Sequence, residues 1–354
     1  MYYIDDSEGQ SKDKHLTYKI RKGDTLQSVA TELGVDAYEL RRYHNIHCAI
    51  PDLIEADFKS YLEFLILSPK KSAVSTEAEE KRPQKVSLGN NYKLPFLPGG
   101  IKKKYKVHYT TEVGEEIDTL EMNVSVKWLA TDKNNFHLFE IKRKSIYVNN
   151  EIPDTVMDQL AAKTAEVIYP LKIVVDESGK WVAIYNFDDI ESRWKATKKE
   201  ILDYYEGEVT ENYIDHAENA LENEVTLFKY LSSDYFLRTF FNGIHVGYTA
   251  DYTFKNDVFF PLEKEEESMF NVEQKINPFL DESYCIKVEQ EGDFKDLAAE
   301  FNYGLDPWTG KFNATYLLDS DSYCVEKINL ECSMDYDDPI KVTIAIEALK
   351  KGQH

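Results

Sequence analysis

The stretch HNIHC places His44, His47 and Cys48 close together, three side chains of the kinds that bind zinc. A zinc site takes three or four convergent ligands. No second cluster answers this one, so the spacing predicts a helix end with exposed histidines. DSDSY (319–323) and DYDDP (335–339) concentrate carboxylates as calcium loops do, but the first lacks the glycine and the closing glutamate of an EF-hand loop. Turns and solvated strand edges are the expected roles. A hydrolase needs two carboxylates at a fixed separation in a cleft, which a sequence this rich in Asp and Glu does not single out. No nucleophile elbow, phosphate loop, dinucleotide fingerprint or zinc-protease helix occurs. The expectation is a non-catalytic protein with no metal and no cofactor.

Cys324 and Cys332 lie in CVEKINLEC, which alternates like one strand. Eight residues of strand span roughly 26 Å, far beyond disulfide reach. With Cys285 they read as small buried hydrophobes in a reducing compartment. The chain has 24 tyrosines and 18 phenylalanines, and DYFLRTFFNGIHVGYTADYTF concentrates them. Tyr235, Phe236, Phe240 and Phe241 there have two readings: core packing, or an aromatic groove that grips an extended partner segment.

Net charge is −22 and uneven. Residues 105–354 hold 25 basic against 49 acidic residues, whereas residues 69–104 hold 9 against 3. The large acidic part repels phosphate backbones, so nucleic acid is not an expected partner. No apolar run approaches the roughly 18 residues of a membrane span. The first residues, MYYIDDSEGQ, lack the basic start and apolar stretch of a signal peptide. The expected location is the cytoplasm, with any export by a machine that needs no signal peptide.

The elements follow from periodicity. Leu120, Met122, Val124, Val126 and Trp128 alternate, as do Phe312, Ala314, Tyr316 and Leu318, then Ile328, Leu330 and Cys332, then Val342, Ile344 and Ile346. Such runs predict an antiparallel sheet with one wet face. Between them the spacing turns helical: Val156, Leu160, Thr164 and Val167; Ile190, Trp194, Thr197, Ile201 and Tyr204; Tyr213, Ala217, Leu221, Val225 and Phe228. Asp306, Pro307 and Gly310 read as a turn. PKKSAVSTEAEEKRPQKVSLGNNYKLPFLPGG (69–100) has no periodicity and reads as a linker whose YKLPFLP patch can dock onto a neighbour.

YKIRKGDTLQSVATELGVDAYELRRYHNI (18–46) carries the most specific pattern. Residues 18–21 form a short strand and Gly23 a turn. Asp24 or Thr25 caps a helix with an inward stripe of Leu26, Val29, Ala30 and Leu33. Gly34 ends it, and Asp36 starts a second helix that Asn45 closes. The segment resembles the LysM family, small βααβ modules that bind N-acetylglucosamine polymers. The resemblance implies a glycan seat between two loops, here Gly23, Asp24, Thr25 and Leu26, and Ile50, Pro51, Asp52, Leu53 and Ile54. The family's Gly-Gln pair before its last strand is replaced by EADFKSYLEFLILSP, which lowers the expected glycan affinity and favours protein docking.

The chain is thus expected to be α+β: a leader (1–15), a LysM-like module (16–68), a linker (69–102), a large domain of curved antiparallel sheet packed with helices (103–349) and a tail (350–354). The half-barrel of lipoprotein carriers is similar in layout. The module resembles those of adaptor and baseplate components in contractile injection and type VI-like secretion systems. That implies a cargo or machine component as protein partner, with a peptidoglycan-binding protein or a LysM-anchored wall hydrolase as alternatives.

Overall fold

The computed structural model describes residues 16–48, 50–54, 56–67, 84–152, 155–205, 207–262, 267–295 and 308–349. The chain divides into two compact units with the boundary between Lys81 and Arg82. The expected leader and tail, and the part of the expected linker before residue 84, lie outside the described residues.

The first unit runs β1 (Leu16–Lys19), α1 (Leu26–Leu33), α2 (Ala37–His47), a short 3-10 turn and β2 (Phe64–Leu67). The strands pair antiparallel, Tyr18 opposite Leu65. This is the expected βααβ order, and local chemistry accounts for it. The Thr25 hydroxyl accepts from Ser28 N–H while the Ser28 hydroxyl accepts from Thr25 N–H, a reciprocal cap on α1. Gly34 adopts φ 68°, the left-handed turn that ends the helix. Asp36 then accepts from Tyr38 and Glu39 N–H to start α2. Asn45 does not close α2, which continues to His47. Val29 and Leu65 are fully buried, with Ala30, Leu40 and Ile54 nearly so.

The second unit is built on one antiparallel sheet of 11 strands. Its strands are β3 (Lys102–Val113), β4 (Glu116–Thr131), β5 (His137–Val148), β6 (Leu171–Val175), β7 (Trp181–Ile184), β8 (Thr253–Phe260), β9 (Ser268–Ile276), β10 (Cys285–Phe294), β11 (Gly310–Asp319), β12 (Val325–Met334) and β13 (Ile340–Ala348). The spatial order is β7-β6-β5-β4-β3-β13-β12-β11-β10-β9-β8, so the sheet is not closed. The alternating residues do what their period requires: Phe312, Tyr316, Ile328, Cys332, Val342, Ile344 and Ile346 are all fully buried. The helices α3 (Val156–Ile168), α4 (Phe187–Tyr204), α5 (Glu208–Ala220), α6 (Glu224–Leu231) and α7 (Tyr235–Phe240) lie between β5 and β8 in the chain. Leu160, Ile190, Trp194, Ile201, Leu227 and Leu237 join the same core.

Several expectations change. Tyr204 and Val225, placed on apolar stripes, are 79% and 77% exposed. The helical run from Tyr213 breaks twice, because Asn223 accepts from Thr226 N–H and Asp234 from Leu237 N–H, each capping a new helix. Gly310 is not in a turn but opens β11, where a side chain would collide with Met334 and Ser333; Asp306 and Pro307 lie outside the described residues. The described part of the expected linker, residues 84–101, is packed on the second unit. Lys85 bridges Phe279 and Lys93 bridges Gly247, Leu94 N–H donates to Val246 O, and Leu94 is fully buried. Phe96 lies 4.7 Å from the His245 ring and 5.1 Å from His137. Single apolar anchors hold this strap, so it needs no periodicity.

Candidate functional site

The two loops expected to seat a glycan belong to the first unit, and side chains of that unit hold both. Asp57 Oδ1, from the segment between the second loop and β2, accepts from Leu26 N–H at 2.7 Å. That bond satisfies one of the free N–H groups at the start of α1. Asp24 Oδ2 accepts from Arg21 N–H at 2.9 Å and from the Tyr18 hydroxyl at 3.0 Å. Burial first, then its bonds to Asp24 and Glu32, push the Tyr18 hydroxyl up to about 12.

The second loop is clamped from α2. Asn45 Nδ2 donates to Ile54 O and Asn45 Oδ1 accepts from Ile54 N–H, both at 2.9 Å. The amide thus copies one rung of a β-ladder. His44 Nδ1 accepts from Ile66 N–H at 2.9 Å, so the proton sits on Nε2 and is donated to Asp52 O at 3.1 Å. His44 is 1% exposed, which overturns the expected exposed pair; only His47 is at the surface. Burial lowers the pKa of His44, and its accepting nitrogen requires the neutral ring. The Tyr61 hydroxyl donates to Pro51 O at 2.8 Å. Several apolar side chains of this unit stand at the surface: Tyr38, Ile46, Tyr61 and Phe64 are 63%, 64%, 59% and 47% exposed.

Tyr235, Phe236, Phe240 and Phe241 do not form an open groove. Phe236 and Phe241 are buried, Tyr235 stacks on Phe260 at 5.7 Å, and Phe240 meets Tyr105 at 4.9 Å. They are the seam by which α7 sits on the sheet. Beside them Arg143 Nη2 donates to both Asp234 oxygens at 2.6 Å, and its guanidinium lies 4.9 Å from the Tyr169 ring. Burial opposes the charge on Arg143, but Asp234 outweighs it and holds the group protonated. Nearby, Tyr105, Phe139, Phe240 and Cys324 line a cavity of about 30 Å³, room for about two waters. Burial raises the Cys324 pKa, which keeps it a thiol rather than a nucleophilic thiolate. Cys332 is buried as expected, and Cys285 is only partly so.

The two acidic stretches take turn roles. Asp319 accepts from Ser322 N–H at 2.7 Å and from its hydroxyl at 2.6 Å, and Asp335 accepts from Thr309. Among the described residues no three His, Cys, Asp or Glu side chains converge as metal ligands, and no helix is long and apolar enough to cross a membrane. No model of a known protein family matches the chain. No curated protein matches it either.

The clamp was only partly readable in advance. The pair His44-Asn45, standing two turns into a helix and followed closely by PDLI, is its one local signal. Asp57 and Tyr61 gave none, because their partners Leu26 and Pro51 lie 31 and 10 residues away.

Proposed function

We propose that the protein is a non-catalytic adaptor in which the first unit is a LysM-like module used to dock a protein, and the second is a scaffold for a further component. What carries this reading is the state of the two loops. A sugar seated between them meets backbone groups already bonded: Leu26 N–H to Asp57, Ile54 N–H and C=O to Asn45, Asp52 C=O to His44, Pro51 C=O to Tyr61. The Leu26 and Ile54 N–H groups have no second hydrogen to offer a sugar oxygen, and drawing them away would forfeit the bonds they already make. The exposed Tyr38, Ile46, Tyr61 and Phe64 supply instead the aromatic and aliphatic anchors typical of protein contacts. In the second unit Arg143 is held by Asp234 and His245 by Pro95 O, and burial keeps Cys324 a thiol, which favours a scaffold over an enzyme. A cargo or machine component of a secretion apparatus is the partner that fits the family resemblance.

Retention of the full chain on insoluble peptidoglycan tests the reading. Little retention is expected, unchanged by Thr25→Ala or Leu53→Ala. Strong retention that either substitution abolishes would replace the docking role with glycan binding.

A further inference from the structure

The strand β3 carries Lys102, Lys104 and Lys106 at alternate positions, all exposed, on the face opposite the buried Tyr105 and Val107. Register sets Lys102 directly against Lys127 on β4. Lys104 stands against Ser125, which faces Lys142 on β5, and Lys106 against Asn123, which faces Lys144. Lys127, Lys142 and Lys144 are exposed as well. Glu121 pairs with Lys106 at 3.0 Å and Glu140 with Lys142 at 3.1 Å, and Glu347 on β13 stands beside Lys106. Lys102, Lys104, Lys127 and Lys144 enter no ion pair among the described residues. Like charges directly opposed across strands cost stability. A chain of net charge −22 nonetheless gathers lysines on one face of three neighbouring strands.

The middle strand shapes this face. Asn123 and Ser125 are short, and they lie between Lys104 and Lys106 on one side and Lys142 and Lys144 on the other. The result is a trough with a polar floor and lysine walls, set by the strand spacing at about 9–10 Å apart. We propose that this trough docks an acidic protein segment in extended conformation. Alternate lysines along a strand recur every ~6.7 Å, and an extended chain with Glu or Asp at alternate positions has the same repeat. A single-stranded nucleic acid needs aromatic faces on which its bases stack, and the floor here is Asn123 and Ser125. A duplex or a long polyanion also meets the repulsion of the acidic remainder, which a short segment largely escapes. The trough belongs to the second unit, so this inference and the role of the first unit can fail separately.

The test uses the full chain and a labelled peptide of alternating Glu and Ser, with alternating Gln and Ser as the uncharged control and a single-stranded oligonucleotide of equal length as the rival. Fluorescence anisotropy is expected to show binding of the acidic peptide alone. That binding should fall as salt rises from about 0.01 M to about 1 M and the screening length shrinks from about 30 Å to about 3 Å. Lys104→Glu with Lys142→Glu should weaken it by about tenfold or more, whereas Lys255→Glu on β8 should leave it unchanged. If the double reversal alters the melt, Lys104→Gln with Lys142→Gln takes its place, again with weakening expected. Peptide binding no better than the uncharged control overturns the proposal. So does equal weakening by Lys255→Glu, or an oligonucleotide that binds as tightly.

Discussion

Asp234→Asn removes one charge of the interior ion pair while keeping its shape. Arg143 then remains between Tyr169 and Phe236 with no counter-charge, having lost two bonds of 2.6 Å to a carboxylate. Its Nε is already buried without a partner. Removing one member of a buried pair costs about 3–5 kcal/mol. The two side chains keep 14% and 15% exposure, so the lower end, about 3 kcal/mol, is the expected loss. Asn caps a helix about as well as Asp, so the start of α7 contributes little to that figure. Asp234→Ala removes the cap too and should cost about 1 kcal/mol more. Pairing Asp234→Asn with Arg143→Met removes both charges and leaves an apolar stem among aromatic rings, so most of the loss should return. All four tryptophans, Trp128, Trp181, Trp194 and Trp308, belong to the second unit, and their fluorescence in urea reads it without interference from the first. The midpoint for Asp234→Asn should fall by about 1 M or more. A shift of only a tenth of that, or a double variant as unstable as the single one, would refute the account of the pair.

Burial lowers the His245 pKa to about 4, against an ordinary value of 6.5. The unfolded chain therefore binds its proton first, and stability that is complete above pH 6.5 is lost as pH falls toward 4, by about 3 kcal/mol in all; His245→Asn, which keeps a donor for Pro95 O, should flatten that slope in tryptophan-monitored unfolding. His44→Ala leaves Ile66 N–H and Asp52 C=O without their partner, an expected loss of about 1–3 kcal/mol, read as faster amide exchange at Ile66 and Ile54 with no change in tryptophan signal. Because His44 is also held neutral by burial, the protection of the same amides, taken relative to their intrinsic exchange rates, should fall as pH drops below 6.5. Leu94→Ala should destabilise the second unit by about 2–5 kcal/mol, and protease should spare residues 84–101 in the parent chain but not in this variant; cleavage of the parent there would show that the strap is not held.

The strand alternation of the large sheet was legible in the sequence. The strands β11 to β13 followed from alternation, because each buries one face against helices and wets the other. The βααβ order of the first unit followed from Thr25, Gly34 and Asp36, whose cap chemistry acts within a few residues. What escaped depends on partners remote in the chain or on isolated anchors. Asn223 and Asp234 interrupt the helices inside an apolar period that runs on unbroken. Leu94 and Phe96 fasten the strap singly, and one buried residue has no period. The burial of His44 rests on backbone groups 8 and 22 residues away. The aromatic segment at 235–241 was ambiguous because core and groove use the same side chains, and only the seat of α7 on the sheet separates them.

The strap has a mechanical consequence. For a pull along the strap from its residue 84 end, the first fastenings met are the bonds of Gln84 and Val86 with Leu280 and Pro278. Next come the bridge from Lys93 to Gly247, the Leu94 bond to Val246, and the bond from His245 to Pro95 O. These are loaded one after another, as a zipper is, and not together as the strands of a sheared sheet are. The strap can therefore peel and lengthen under tension while the 11-stranded sheet stays whole.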